Sequence, residues 1–201
     1  MGQSVSTGGA AATTAKFMVG EHTKVITDDG REVRPGSGET GRVAVGGYQP
    51  IGYYKDPEKS AATFITFEGK RYSVPGDYAT VEADGSLTLL GRGSVCINTG
   101  GEKVFPEEVE EALKTHLAVR DAVVVGLPDA RFGERICAVV ETDGAAQPTL
   151  AELSEHVRQT LAGYKAPREL VLVESIGRAP NGKVDYKAAR DRALAALGVS
   201  A

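Results

Sequence analysis

At 201 residues the chain has room for one domain or two small ones, and 41% hydrophobic with 25% charged residues is ordinary for a soluble globular protein. A net charge of −4 with no basic face argues against nucleic acid as a partner. No apolar run approaches the roughly 20 residues that cross a bilayer, and the N-terminus lacks the apolar centre of a signal peptide, so no transmembrane segment and a cytoplasmic location are expected.

The first 16 residues are rich in Gly, Ser, Thr and Ala and read as a loosely packed segment. Short strands follow around Phe17-Met18-Val19 and Lys24-Val25-Ile26, with a turn at Asp28-Asp29-Gly30. Gly41-Arg42-Val43-Ala44-Val45 is a strand that ends at the pair Gly46-Gly47. A short helix is expected over Pro57–Thr63, and 64–71 reads as turn-like. Residues 78–81 and 87–90 alternate like paired strands around the turn signal Asp84-Gly85, which predicts a hairpin with Asp77 and Arg92 at its ends. Many short strands with Gly-rich turns imply a small barrel or distorted sheet.

The second half alternates strands and helices. Pro106 suits the first turn of a helix, with Glu107 and Glu108 at its positive end and Val109, Ala112, Leu113 and Leu117 as its buried stripe. Residues 119–126 and 134–141 are apolar enough for central strands. Thr149 with Glu152 makes a capping box, and the helix behind it buries Leu150, Leu153, Val157 and Leu161. A strand over 170–174 and a last helix capped by Asp185, with Ala188, Leu194 and Leu197 for packing, complete an α+β domain.

Cys96 and Cys137 each lie in an apolar run and read as buried, reduced thiols. His22, His116 and His156 are scattered without ligand spacing, so no metal site is expected. Four places could carry chemistry. The Asp77 carboxylate can accept hydrogen bonds from two vicinal hydroxyls, although an Asp after Gly is by itself a turn residue. The fork of donors on Arg92 can grip ribose or phosphate oxygens, or stand solvated at a strand end. The pair Gly100-Gly101 lets backbone approach a ligand closely, or makes a tight turn before a helix. Lys183 ends Gly177-Arg178-Ala179-Pro180-Asn181-Gly182-Lys183, which literally satisfies the phosphate-loop pattern. Such a loop needs Ser or Thr next, where Val184 stands, and Pro180 removes an N–H it would use, so pattern alone leaves a solvated lysine.

Together these stretches resemble the adenylate-forming, AMP-binding superfamily, and within it the C-terminal part of an acyl-CoA synthetase, a fatty-acid–CoA ligase. The resemblance rests on Gly38-Glu39, on Gly52-Tyr53-Tyr54-Lys55-Asp56-Pro57-Glu58, on Gly76-Asp77, on Arg92, on Gly100-Gly101-Glu102-Lys103-Val104-Phe105-Pro106 and on Pro180-Asn181-Gly182-Lys183. It implies an α+β architecture. Residues 1–92 would be the strand-rich, barrel-like end of the large AMP-binding domain, and 93–201 a small α+β lid domain. It implies that Asp77 and Arg92 hold the ribose of ATP and AMP and that Lys183 is the catalytic lysine of adenylation. It further implies that Gly100 and Gly101 line the channel for CoA, and that the lid pivots at Gly93 and Ser94. Ser94 departs from the Asp or Lys usual at the pivot.

Tyr164-Lys165-Ala166-Pro167 resembles a motif whose role is structural. The superfamily's loop for ATP phosphates, its adenine and acyl pockets and its Mg-binding acid have no counterpart here, so Mg would be bound mainly by a preceding region. The expectation is a C-terminal fragment, a truncated paralogue or half of a split enzyme, incomplete for catalysis alone. The alternative is a non-catalytic module that docks on a full-length homologue or on a separate large domain. The wording of 100–112 is also reminiscent of actinobacterial ligases acting on lipids or sterol side chains.

Overall fold

The structure, a computed structural model, describes residues 16–142, 144 and 147–199. The loose segment expected over the first 16 residues lies, up to residue 15, outside the described residues. Two compact units divide between Ser94 and Val95.

The first unit contains β1 (Lys16–Phe17), β2 (Thr23–Ile26), β3 (Thr40–Val45), α1 (Pro57–Thr63), β4 (Phe64–Phe67), β5 (Lys70–Ser73), β6 (Asp77–Val81) and β7 (Leu87–Arg92). The sheet order is β1-β7-β6-β3-β5-β4, with β2 also paired to β3. Of the small barrel or distorted sheet expected, the sheet is what forms: among the described residues no pairing joins β1 to β4 to close it. β5 and β6 instead lie in succession along β3: three steps from Arg42 to Val45 face five from Tyr78 back to Ser73. The surplus falls where Pro75 cannot donate to a ladder. Side-chain alternation sends Val25 and Val43 into one core cluster and Ile26 and Ala44 into another, so both faces of the β2/β3 pair are covered.

Residues 64–71, expected to be turn-like, are mostly a hairpin. β4 and β5 pair from Phe64 with Ser73 to Phe67 with Lys70. The two linking residues, Glu68 and Gly69, both take positive φ, 48° and 73°. That is the geometry of a tight hairpin turn, and Glu seldom adopts it, so the usual Asn-Gly or Asp-Gly signal is missing. The hairpin from Asp77 to Arg92 and the helix over Pro57–Thr63 form as expected.

The second unit contains β8 (Ile97–Thr99), β9 (Glu102–Val104), α2 (Pro106–Lys114), β10 (Val119–Asp129), β11 (Gly133–Thr142), α3 (Leu150–Arg158), β12 (Glu169–Val173) and α4 (Tyr186–Leu197). β10 and β11 form a long antiparallel pair; β12 joins β11 in parallel, and β8 joins it at Thr99 and Gly133. Alternate residues of this pair feed two cores. Val124, Ile136 and Ala138 pack into the cluster that holds α2 and α3 residues, while Val125, Leu127 and Val139 pack with Ala193 and Leu194 of α4. A ladder covered on both faces needs continuous apolar sequence, which Val123-Val124-Val125 and Ile136-Cys137-Ala138-Val139-Val140 supply.

The expected caps are present. Thr149 and Glu152 exchange hydrogen bonds at the start of α3, and Asp185 accepts the Ala188 N–H at 3.0 Å at the start of α4. Two packing expectations fail. Leu117 is 98% exposed, because α2 ends at its Thr115 cap and Leu117 falls beyond the helical stripe. Ala188 faces solvent, and Ala193 packs with Leu194 instead. Lys165 closes on the buried Glu108 of α2 at 2.6 Å, which gives its motif the expected structural use.

Glu110 of α2 is also buried. Its carboxylate accepts the Val124 N–H at 2.9 Å and the Tyr186 hydroxyl at 3.3 Å. Burial lifts its pKa from 4.5 to about 7. Between those values the folded chain holds a proton that the unfolded chain releases, so stability falls as pH rises through this window and levels off above it. Glu110→Gln keeps the shape without the charge. Relative to wild type it should gain stability from pH 5 to pH 8, by about 1–3 kcal/mol at pH 8. Urea unfolding at pH 5, 6, 7 and 8 measures this, and a difference that does not change with pH would assign the window to another group.

Candidate functional site

The β6/β7 hairpin brings Asp77 and Arg92 together as a register pair, and Arg92 Nε donates to Asp77 Oδ1 at 3.2 Å. A bulge causes this pairing. Val81, Thr80 and Ala79 face Leu87, Thr88 and Leu89 in strict register, but Tyr78 then faces Gly91, so Leu90 is the extra residue. Were Leu90 paired with Tyr78 in strict register, Asp77 would face Gly91 instead of Arg92. Bulges of this kind re-aim side chains at the ends of strands. The Arg92 side chain is 67% exposed and that of Asp77 34%, so this contact contributes at most about 1 kcal/mol.

Immediately behind Arg92, Gly93 to Val95 make one turn of 3-10 helix, and Gly93 N–H donates to Gly76 O at 3.0 Å. A Cβ on Gly93 would lie 2.6 Å from Tyr78 Cε2. A side chain at position 93 would therefore have to displace the Tyr78 ring.

In the second unit, Gly100 and Gly101 form the tip of the β8/β9 hairpin, with φ of 62° and 89°. The tip is held from below. Gly100 N–H donates to Phe132 O at 2.8 Å, and Asn98 N–H donates to Glu134 Oε2 at 2.9 Å. Glu134 has room to reach Asn98 because a Cβ on Gly126 would fall 2.7 Å from its Oε1.

Lys183 stands on an exposed loop between β12 and α4. Gly182 N–H donates to Ala179 O at 2.8 Å and Ala179 N–H to Lys183 O at 3.0 Å, while Gly182 has φ of 77°. This is a three-residue loop: Pro180 and Asn181 make the turn, and Gly182 takes its left-handed position. Asn181 Oδ1 also accepts the Lys183 N–H at 3.1 Å. Gly182 thus serves a defined turn. Among the described residues the Lys183 ammonium has no hydrogen-bond or ion-pair partner. It borders an open pocket of about 560 Å³ with Val95, Gly177, Tyr186 and their neighbours.

Arg178, on the same loop, was not singled out from sequence. Its Nε and Nη2 meet Asp121 Oδ2 and Oδ1 at 2.6 and 2.8 Å, and its Nη1 donates to Gly182 O at 3.3 Å. Burial pushes the Asp121 carboxyl up, but hydrogen bonds from Arg178 and the Ala122 N–H outweigh it and leave the group below its ordinary value. The Tyr186 hydroxyl on Glu110 is a second tie beside the loop.

Among the described residues no cluster of three His, Cys, Asp or Glu side chains could hold a metal ion. His116 and His156, far apart in sequence, do meet, with ring centroids 5.1 Å apart. Cys137 is fully buried and burial pushes its thiol up to about 12, while Cys96 is only half-buried. No helix is long and apolar enough to cross a membrane among the described residues.

A family model described as the AMP-binding enzyme C-terminal domain matches residues 108–183. A medium/long-chain-fatty-acid–CoA/3-oxocholest-4-en-26-oate–CoA ligase of Mycolicibacterium smegmatis is 58% identical over 92% of the chain and 33% of its own length. A 3-oxocholest-4-en-26-oate–CoA ligase of Rhodococcus rhodochrous is 58% identical over 87% of the chain and 31% of its own. Among solved structures, the amide bond synthetase McbA from Marinactinospora thermotolerans superposes with a TM-score of 0.74 at 32% identity, covering 86% of this chain and 34% of that one. The o-succinylbenzoate CoA synthetase of Bacillus subtilis, in complex with its acyl-adenylate intermediate, gives 0.73 at 27%, covering 85% and 34%. The chain thus spans about a third of the length of the relatives it matches, and it corresponds to their C-terminal part.

The Gly100-Gly101 tip is held in a conformation that side chains resist. Replacing both glycines by Ala should cost about 2 kcal/mol. Urea unfolding followed by tyrosine fluorescence measures the loss, and a cost near zero would mean that the turn has another geometry in solution.

Proposed function

We propose that this chain, which belongs to the AMP-binding, adenylate-forming superfamily as the C-terminal part of a fatty-acid/acyl-CoA ligase, supplies the ribose contact and the mobile lid of ATP-dependent acyl-CoA formation. In the first step a carboxylate oxygen attacks the α-phosphorus of ATP and pyrophosphate leaves. In the second the CoA sulfur displaces AMP from the acyl-adenylate. Asp77 and Arg92 would exchange their mutual contact for the ribose hydroxyls. Lys183, its ammonium without a partner among the described residues, would offset charge on the phosphate oxygens and align the reacting groups. Gly100 and Gly101 would present bare backbone beside the pantetheine arm of CoA. Magnesium is given no step by the donors of this chain, which offer no cluster for it among the described residues.

One observation carries this reading. The Lys183 loop is tied to Asp121, near the start of β10, and the Gly100 hairpin to the turn that follows Asp129 at its end. Those anchors stand eight residues apart, roughly 25 Å along an extended strand. Two devices so far apart on one rigid ladder serve one reaction centre by turns, which requires the second unit to rotate. We place that rotation at Gly93 and Ser94, beside the division between the units. The acid would be a lipid carboxylate, as the names of the relatives from M. smegmatis and R. rhodochrous suggest.

A second reading, docking on a separate large domain, is favoured by Tyr48, Ile51 and Tyr54, which are 108%, 96% and 88% exposed.

The test joins the full chain behind the first two-thirds of the M. smegmatis relative. The fusion should form acyl-CoA from ATP, CoA and a medium-chain fatty acid. Lys183→Ala should lower acid-dependent exchange of pyrophosphate into ATP at least 100-fold, with thioester formation from supplied acyl-adenylate largely kept. Asp77→Ala should raise the KM for ATP about tenfold while changing stability by less than about 1 kcal/mol. Exchange that survives Lys183→Ala would sink the assignment of the lysine.

A further inference from the structure

We propose that Arg178 is the positioning residue for Lys183, and that it acts through its paired contact with Asp121 of β10. The inference rests on the adenylation role given to Lys183 above and deepens it.

A lysine on an exposed loop is a poor catalyst if the loop wanders, since effective orientation needs the reacting groups held to within a fraction of an ångström. The Lys183 turn closes on itself, but a closed turn still needs fixing to the body of the domain. The backbone bonds from Ala179, Gly182 and Lys183 all stay inside the turn. Ile176 and Val184 on either side of it pack against the cluster under α4, and Arg178 is the charged side chain that ties the turn itself to β10. One guanidinium holds both oxygens of Asp121 and, on its other nitrogen, the carbonyl of Gly182, the residue directly before Lys183. It also reaches Ala122 O at 3.4 Å. One planar group therefore joins the turn to a strand that both cores grip.

The chemistry suits Arg and not Lys. The fork matches a carboxylate bidentately and still has donors for two carbonyls, whereas an ammonium is a single point with no fixed plane. Asp121 is preset for the contact. Its own Oδ1 accepts the Ala122 N–H at 2.8 Å, which orients the carboxylate on the strand. The tie lies at one end of β10, so its loss has no direct path to the Gly100 hairpin, held at the other end by Phe132 and Glu134. A positioning role and a general stabilising role therefore predict different results.

The experiment has two arms. In the full chain alone, hydrogen exchange should show faster exchange at the amides of Ala179, Gly182 and Lys183 in Arg178→Ala, with β10 and β11 unchanged. In the fusion described above, Arg178→Ala and Asp121→Ala should each lower kcat for adenylation 10- to 100-fold. KM for ATP and acid should stay within about threefold, and thioester formation from supplied acyl-adenylate within twofold. The double variant should lose no more than either single one, because both remove the same tie. Arg178→Lys should restore less than a tenth of the loss.

Unchanged exchange in the turn overturns the tie whatever the fusion does. Equal loss in both half-reactions overturns the positioning role in favour of general destabilisation. If Lys183→Ala abolishes adenylation and Arg178→Ala spares it, only this inference fails; if Lys183→Ala spares adenylation, the proposed function fails first.

Discussion

The antiparallel pair of β10 and β11 is the constraint on which the second unit depends. Its residues alternate between two apolar clusters, so neither strand can shift by one position without turning a valine face toward the wrong core. A ladder pinned this way is a ruler. What it carries at its ends, Asp121 at one and the turn through Phe132 at the other, keeps a fixed separation whatever the rest of the unit does. The small hairpin of β8 and β9 is too short to hold its own shape, since an isolated two-stranded hairpin is marginal in water. It keeps its glycine tip in place only because Thr99, Gly100 and Asn98 are each bonded to the ladder or its turn.

The first unit solves a different problem with register. Among the described residues its strands are short and its sheet does not close, so no long ladder fixes positions there. A single extra residue, Leu90, shifts β7 by one position against β6 and turns Arg92 toward Asp77. The same economy appears in the Lys183 turn, where Pro180, Asn181 and Gly182 each meet one requirement of a three-residue loop. In both places backbone geometry aims the side chain, and the exposed polar group adds little to stability.

This division explains what could be read from the chain alone. The Asp84-Gly85 hairpin, the Asp185 cap and the capping box of Thr149 and Glu152 are local, since each signal lies within a few residues of its effect. The apolar runs of β10 and β11 announce burial on both faces for the same reason. The β4/β5 hairpin was not legible because Glu68 takes a backbone conformation its side chain disfavours, held by pairing on both sides. Leu117 looked like a core residue because a helical stripe extends on paper past a cap that composition does not reveal. Glu110 looked like one more charge on a helix rich in glutamate, and only the packing of β10 and Tyr186 shows it buried. The candidate residues Asp77, Arg92, Gly100, Gly101 and Lys183 could be named from motifs. That Asp77 and Arg92 are one register pair, and that Lys183 and Gly100 are tied near opposite ends of one strand, depends on pairing between distant segments.

The contact of Arg178 with Asp121, 57 residues apart in sequence, shows why partly exposed ion pairs should not be judged by stability alone. In such a setting the Coulomb gain is largely offset by hydration and by the entropy of two ordered side chains, so the contribution to folding is small. Orientation is accounted for separately. A turn that samples several placements populates the productive one only part of the time, and the rate falls by that fraction even when the fold is equally stable. A planar donor that grips a strand carboxylate and the carbonyl beside the lysine removes those alternatives. Geometry, rather than strength, is the property that such a pair would be retained for.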